Sequence, residues 1–149
     1  MRIRTDVRLA VFAIALGVFV AGCTGTRNVS DRDIKAIGLE GLIGLVEHQN
    51  EAPKKRRLLL LDSRSGPKYH AAHIPGARHM RTSDINAELG RDPTIEAYKK
   101  IVVYADNPGS ASSKALVKLL MSQRYDDVRL FPGGLDAWRA AGLPVAQAE

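Results

Sequence analysis

Three short apolar runs constrain this chain more than any other feature. Leu58-Leu59-Leu60-Leu61 ends at Asp62, Ile101-Val102-Val103-Tyr104 ends at Ala105, and Val128 to Phe131 ends at Pro132-Gly133-Gly134. Runs of this kind, without polar alternation, suit strands buried on both faces of a parallel sheet. Parallel neighbours need a crossover segment, usually a helix. Between the last two runs, Ala115, Leu116, Leu119 and Leu120 recur at helical spacing. Before the first run, Leu39, Leu42, Ile43 and Val46 follow the i, i+3, i+4, i+7 template. After the third, Leu135 and Trp138 lie three apart, and Gly142 can end that helix. Strands alternating with amphipathic helices predict an α/β fold with a mostly parallel sheet. Ligands of such sheets bind beyond the carboxyl ends of the strands. The positions to inspect therefore follow Leu61, Tyr104 and Phe131.

The first residues read as an address rather than as part of that fold. Arg2, Arg4 and Arg8 precede an apolar run from Leu9 to Val20, and Val20-Ala21-Gly22 leads into Cys23. Basic, apolar and small-residue regions in that order describe a secretory signal. The apolar run is short for a permanent membrane span. The ending resembles the bacterial lipobox, in which the cysteine becomes the new N-terminus and carries lipid, palmitate included. Thr24 after the cysteine resembles an outer-membrane lipoprotein. The expected organisation is a signal peptide over 1–22, a lipidated Cys23 with tether over 23–32, and one domain over 33–147. The expected location is the cell envelope, lipid-anchored, on the outer membrane facing the periplasm where the cell has one. Several acyl chains anchor stably, whereas one binds only marginally.

Charge and cysteine content narrow the chemistry. The formal charge is +6, but basic and aromatic residues do not interleave, so nucleic acid is not an expected partner. Lys54-Lys55-Arg56-Arg57 reads as a solvated loop before a greasy strand. Cys23 is the single cysteine. One cysteine makes no internal disulfide and no ordinary four-ligand zinc site. Neither a metal nor a cofactor is expected.

The residues around the strand ends resemble the rhodanese family. Asp62-Ser63-Arg64 is similar to that family's Asp-x-Arg step. Tyr69 followed by His73-Ile74-Pro75-Gly76-Ala77 matches its pattern of an aromatic, three residues, then His-aliphatic-Pro-Gly-Ala. Met80 stands where an aliphatic residue or Phe usually closes that pattern. Val128, Phe131, Gly133, Gly134 and Trp138 resemble its C-terminal segment, and Gly142-Leu143-Pro144-Val145 its last turn. The resemblance runs from about Asp33 to Val145. It implies a three-layer sandwich around a five-stranded, mostly parallel sheet. Pro75 fixes one dihedral and Gly76 permits a turn that a side chain would forbid. His73 is expected to hydrogen-bond this turn rather than to act as acid or base. His70 and His79 are expected to be solvated, and Tyr69 and Trp138 to lie in the core. Gly133-Gly134 is expected to let the backbone pass close to a neighbouring loop.

The resemblance also locates where catalysis should be. In active rhodaneses a cysteine directly follows the strand corresponding to Ile101–Tyr104. The loop after it points N–H groups at the sulfur, an anion nest that lowers the thiol pKa and holds a persulfide. Here the loop reads Ala105-Asp106-Asn107-Pro108-Gly109-Ser110-Ala111. Ala105 holds the cysteine position, and a methyl group cannot attack a sulfane sulfur. Ser110 falls where the loop often carries arginine, Pro108 removes one N–H, and Asp106 adds a negative charge. Ser110 or Ser112 is expected as a helix N-cap rather than a nucleophile. The expectation is a non-catalytic rhodanese-like domain that binds a protein partner or a small anion, with Asp106 to Ser113 as the contact loop. The alternative is a thiosulfate or persulfide sulfurtransferase with an unrecognised nucleophile.

Overall fold

A computed structural model describes residues 27–48, 58–86 and 89–148. The leader, Cys23 and the basic run at 54–57 lie outside the described residues. Among the described residues no helix is long and apolar enough to cross a membrane. The elements are β1 (Lys35–Ala36), α1 (Leu39–Val46), β2 (Leu58–Asp62), α2 (Gly66–Ala71), β3 (Arg78–His79), α3 (Pro93–Glu96), β4 (Lys100–Tyr104), α4 (Ala111–Ser122), β5 (Val128–Phe131) and α5 (Gly134–Ala140). The five strands form one sheet in the order β1-β5-β4-β2-β3. Every pairing is parallel, so the sheet is wholly rather than mostly parallel.

The period of two along each strand builds the three layers. Leu58, Leu60, Val102 and Tyr104 pack with Leu42 of α1 and Leu135 and Trp138 of α5. Leu59, Leu61, Ile101 and Val103 point the other way, onto Leu116, Val117 and Leu120 of α4. This double burial is why the runs Leu58 to Leu61 and Ile101 to Val103 carry no polar residue; β5 departs from the pattern with Arg129, which is only half-buried. The buried face of α4 is Ser113, Leu116, Val117 and Leu120. Ala115 is exposed and Leu119 only half-buried, so the helix is rotated from the face expected on hydrophobicity alone. Ser113 can face inward because its hydroxyl donates to the carbonyl of Ser110 at 3.2 Å.

Two features position the site. Strand register places Asp62 beside Tyr104 and Tyr104 beside Phe131. The three loops beginning at Ser63, Ala105 and Pro132 therefore start side by side on one edge. The Pro75-Gly76 turn follows α2, with Gly76 at φ +78°, and leads into β3 as expected. His73 is sewn to the C-terminal tail by paired backbone bonds with Ala146, both 2.8 Å.

Candidate functional site

The loop after β4 begins at Ala105, which is 2 % exposed. Its backbone is fixed from the side by α5. Leu135 N–H donates to the Ala105 carbonyl at 2.9 Å, and Asp136 N–H to the Asp106 carbonyl at 3.0 Å. Gly134 makes this approach feasible. It sits at φ +62°, and a Cβ there would lie 2.6 Å from the Ala105 oxygen and closer still to that of Asp106. Gly133 has an ordinary helical φ of −59°, but a Cβ on it would meet that of Ala137 at 2.6 Å. The close passage to a neighbouring loop expected of this pair is therefore made at Gly134, whereas Gly133 is hemmed in by Ala137 and Phe131.

The loop closes on itself beyond Asp106. Ser110 N–H donates to the Asn107 carbonyl at 3.1 Å. Gly109 N–H donates to Asn107 Oδ1 at 3.1 Å, and Asn107 N–H reaches Ser110 Oγ at 3.4 Å. With Pro108 and Gly109 at its centre this is a β-turn reinforced by its asparagine side chain. Three amides between 107 and 110 are thus spent on loop acceptors, and proline has none to offer. Ser110 occupies the N-cap position of α4 but its side chain makes no cap bond; its oxygen faces Asn107 instead. Ser112 Oγ lies 3.1 Å from Ser63 Oγ, which donates to the Tyr104 carbonyl at 2.9 Å.

Beneath the loop lies a buried ion pair. Arg64 donates through Nε to both Asp62 oxygens and through Nη2 to Oδ2 at 2.6 Å. Its Nη2 also reaches the Ala72 carbonyl. Both side chains are almost fully enclosed, at 5 % and 0 % exposure. Burial works against the charge on Arg64, yet the hydrogen bond and charge of Asp62 more than offset it and keep the guanidinium above its ordinary pKa. The remaining Nη1 points at Asp106 Oδ1, 3.4 Å away, while Lys68 Nζ binds Oδ2 at 2.6 Å. The negative charge that Asp106 adds to the loop is met by these two cations. Partial burial pushes its carboxyl pKa up, and Lys68 followed by Arg64 pull it below the usual range.

The histidines complete the neighbourhood. His73 is buried, and its Nδ1 lies 3.0 Å from the Tyr69 carbonyl, the structural part expected of it. Its ring stacks on Tyr69 at 4.1 Å between centroids. His70 is exposed. His79 is not solvated as expected: it is half-buried, with Nε2 2.8 Å from the Arg64 carbonyl. Tyr69 is half-buried rather than core and donates to the Ala77 carbonyl at 2.9 Å, whereas Trp138 is core and donates to the Pro144 carbonyl. Sequence reasoning missed Lys68 and the Ser63–Ser112 contact, both of which arise only when the strand ends meet. Among the described residues no group of His, Cys, Asp or Glu could hold a metal ion.

Fold and site together define an α/β sandwich with a strand-to-helix loop after β4 that is braced by a neighbouring Gly-Gly turn. Residues 45–141 match the family model of the rhodanese-like domain. The chain is 32 % identical over 94 residues to the thiosulfate sulfurtransferase GlpE of Pseudomonas putida strain F1, covering 63 % of this chain and 81 % of that protein. The enzyme of the same name from Pseudomonas fluorescens strain SBW25 is 32 % identical over 89 residues, covering 60 % and 77 %. The solution structure of a rhodanese-like domain from Anabaena sp. superposes with a TM-score of 0.57 at 28 % identity, covering 76 % of this chain and 79 % of that one. The chain belongs to the rhodanese-like family, whose members similar to it include sulfurtransferases.

Proposed function

We propose that this protein is a non-catalytic rhodanese-like domain, lipid-anchored at Cys23 in the cell envelope, that binds a protein partner or a small anion with the loop from Asp106 to Ser113. The observation that carries this reading is Ala105 at the head of the loop, where sulfur transfer needs a thiolate. The geometry behind it supports the same conclusion. The amides of Asn107, Gly109 and Ser110 already serve acceptors within the loop and Pro108 has none to offer, so fewer free donors remain there to hold a persulfide. Loops at strand ends remain good binding surfaces after chemistry is lost. Kinship to thiosulfate sulfurtransferases favours the second reading, turnover through an unrecognised nucleophile.

Thiosulfate-to-cyanide sulfur transfer decides between them. The parent chain is expected to be silent. Ala105→Cys is expected to stay silent as well, because a thiol there would find three of the loop amides occupied and Asp106 beside it. Turnover by the parent overturns the non-catalytic reading. Activity gained by the Ala105→Cys variant would leave that reading standing but refute the argument from the amides.

A further inference from the structure

We propose that Asp106 is the built-in occupant of an oxyanion subsite formed by Arg64 and Lys68, and that its carboxylate keeps small anions off this face. This rests on the non-catalytic reading above and narrows it, since it removes free oxyanions from the ligands the loop can take.

The two carboxylate oxygens of Asp106 are divided between two cations, Oδ1 toward Arg64 Nη1 at 3.4 Å and Oδ2 on Lys68 Nζ at 2.6 Å. A bound oxyanion would be held in the same way. Arg64 is enclosed, with Nε and Nη2 committed to Asp62 and the Ala72 carbonyl. The group that fills the subsite is also fixed, because the Asp106 carbonyl accepts from Asp136 N–H and Gly134 packs against its backbone. The side chain is 30 % exposed, so the subsite opens to solvent. Asp62 and Asp106 together balance Arg64 and Lys68. Without the Asp106 carboxylate, Nη1 and Nζ face solvent with no counter-ion between them.

The test uses the full chain and inorganic sulfate as probe, titrated against sodium chloride of matched ionic strength and followed by amide chemical shifts. The parent is expected to show no saturable site. Asp106→Ala is expected to gain one, holding sulfate at least about tenfold more tightly than the weak, unsaturable association of the parent, as a charge-assisted bond to a guanidinium implies. Asp106→Asn keeps the backbone contacts and nearly the same volume, and is expected to gain binding too. It decides the matter should the alanine variant not fold. Adding Lys68→Ala to either variant is expected to abolish the gain. Sulfate binding by the parent equal to that of the variants overturns the proposal. So does a folded Asp106→Asn protein with no gain, or a gain that survives loss of Lys68. None of these outcomes depends on sulfur transfer, so failure here is distinct from failure of the non-catalytic reading.

Discussion

Substituting alanine for Gly134 should pull the start of α5 away from the loop after β4. The residue sits at φ +62°, where a side chain costs about 1–2 kcal/mol. Its new methyl group would lie 2.6 Å from the Ala105 oxygen and nearer to that of Asp106, against backbone that cannot rotate aside. Relieving this overlap moves the helix by about 1 Å, enough to break hydrogen bonds as short as these. Two are at stake, Leu135 N–H to Ala105 at 2.9 Å and Asp136 N–H to Asp106 at 3.0 Å. At about 1 kcal/mol each they bring the expected loss to roughly 3–4 kcal/mol. Urea unfolding followed by the fluorescence of Trp138, the single tryptophan and a core residue, reads this directly. Gly44→Ala is the control. A Cβ there meets nothing within 4 Å on an exposed position of α1, so alanine should stabilise by about 0.5–1 kcal/mol. A Gly134→Ala protein within about 1 kcal/mol of the parent would refute the close-approach argument.

Two further outcomes follow from the same core and loop. Tyr104→Phe leaves the Ile74 N–H, now bonded to the tyrosine oxygen at 3.0 Å in a fully buried setting, without an acceptor. Unfolding should show a loss of about 1–3 kcal/mol, and an unchanged midpoint would show that another acceptor takes its place. Asp106 titrates below the ordinary carboxylate range, so its contribution is fully present above its unfolded value of about 4 and is lost as pH falls through the lower folded value. Below about pH 4 the parent should therefore lose stability more steeply than Asp106→Asn. Parallel pH profiles would mean that Lys68 and Arg64 do not hold the carboxylate in solution.

How much of this was legible in the sequence depended on how local each signal is. Strands β2 and β4 announce themselves because each is buried on both faces, and β5 does so less plainly because half-buried Arg129 interrupts it. Strands β1 and β3 are two residues long, and their pairing comes from register with neighbours rather than from composition. The buried face of α4 was misjudged by one position because Ser113 satisfies its hydroxyl within its own first turn. The loop was legible as a motif, and Ala105 does stand at its head, directly after β4. The partners of Asp106 were not legible, since Lys68 and Arg64 stand 38 and 42 residues away, brought alongside only by the β2–β4 register. His79 was misread for the same reason: its carbonyl partner on Arg64 is 15 residues distant.

The strand order carries a consequence for the timing of folding. Among the described residues β1 is the first strand, and it pairs only with β5, the last. A polypeptide emerging from the ribosome cannot seat its opening strand until nearly all of the domain has been made. The His73–Ala146 clasp waits longer still. Long-range closure of this kind is slow, and a sheet left unfinished exposes strand edges to other chains. Truncations a few residues short of Ala146 should thus be felt as poor recovery of folded protein rather than as a frayed tail.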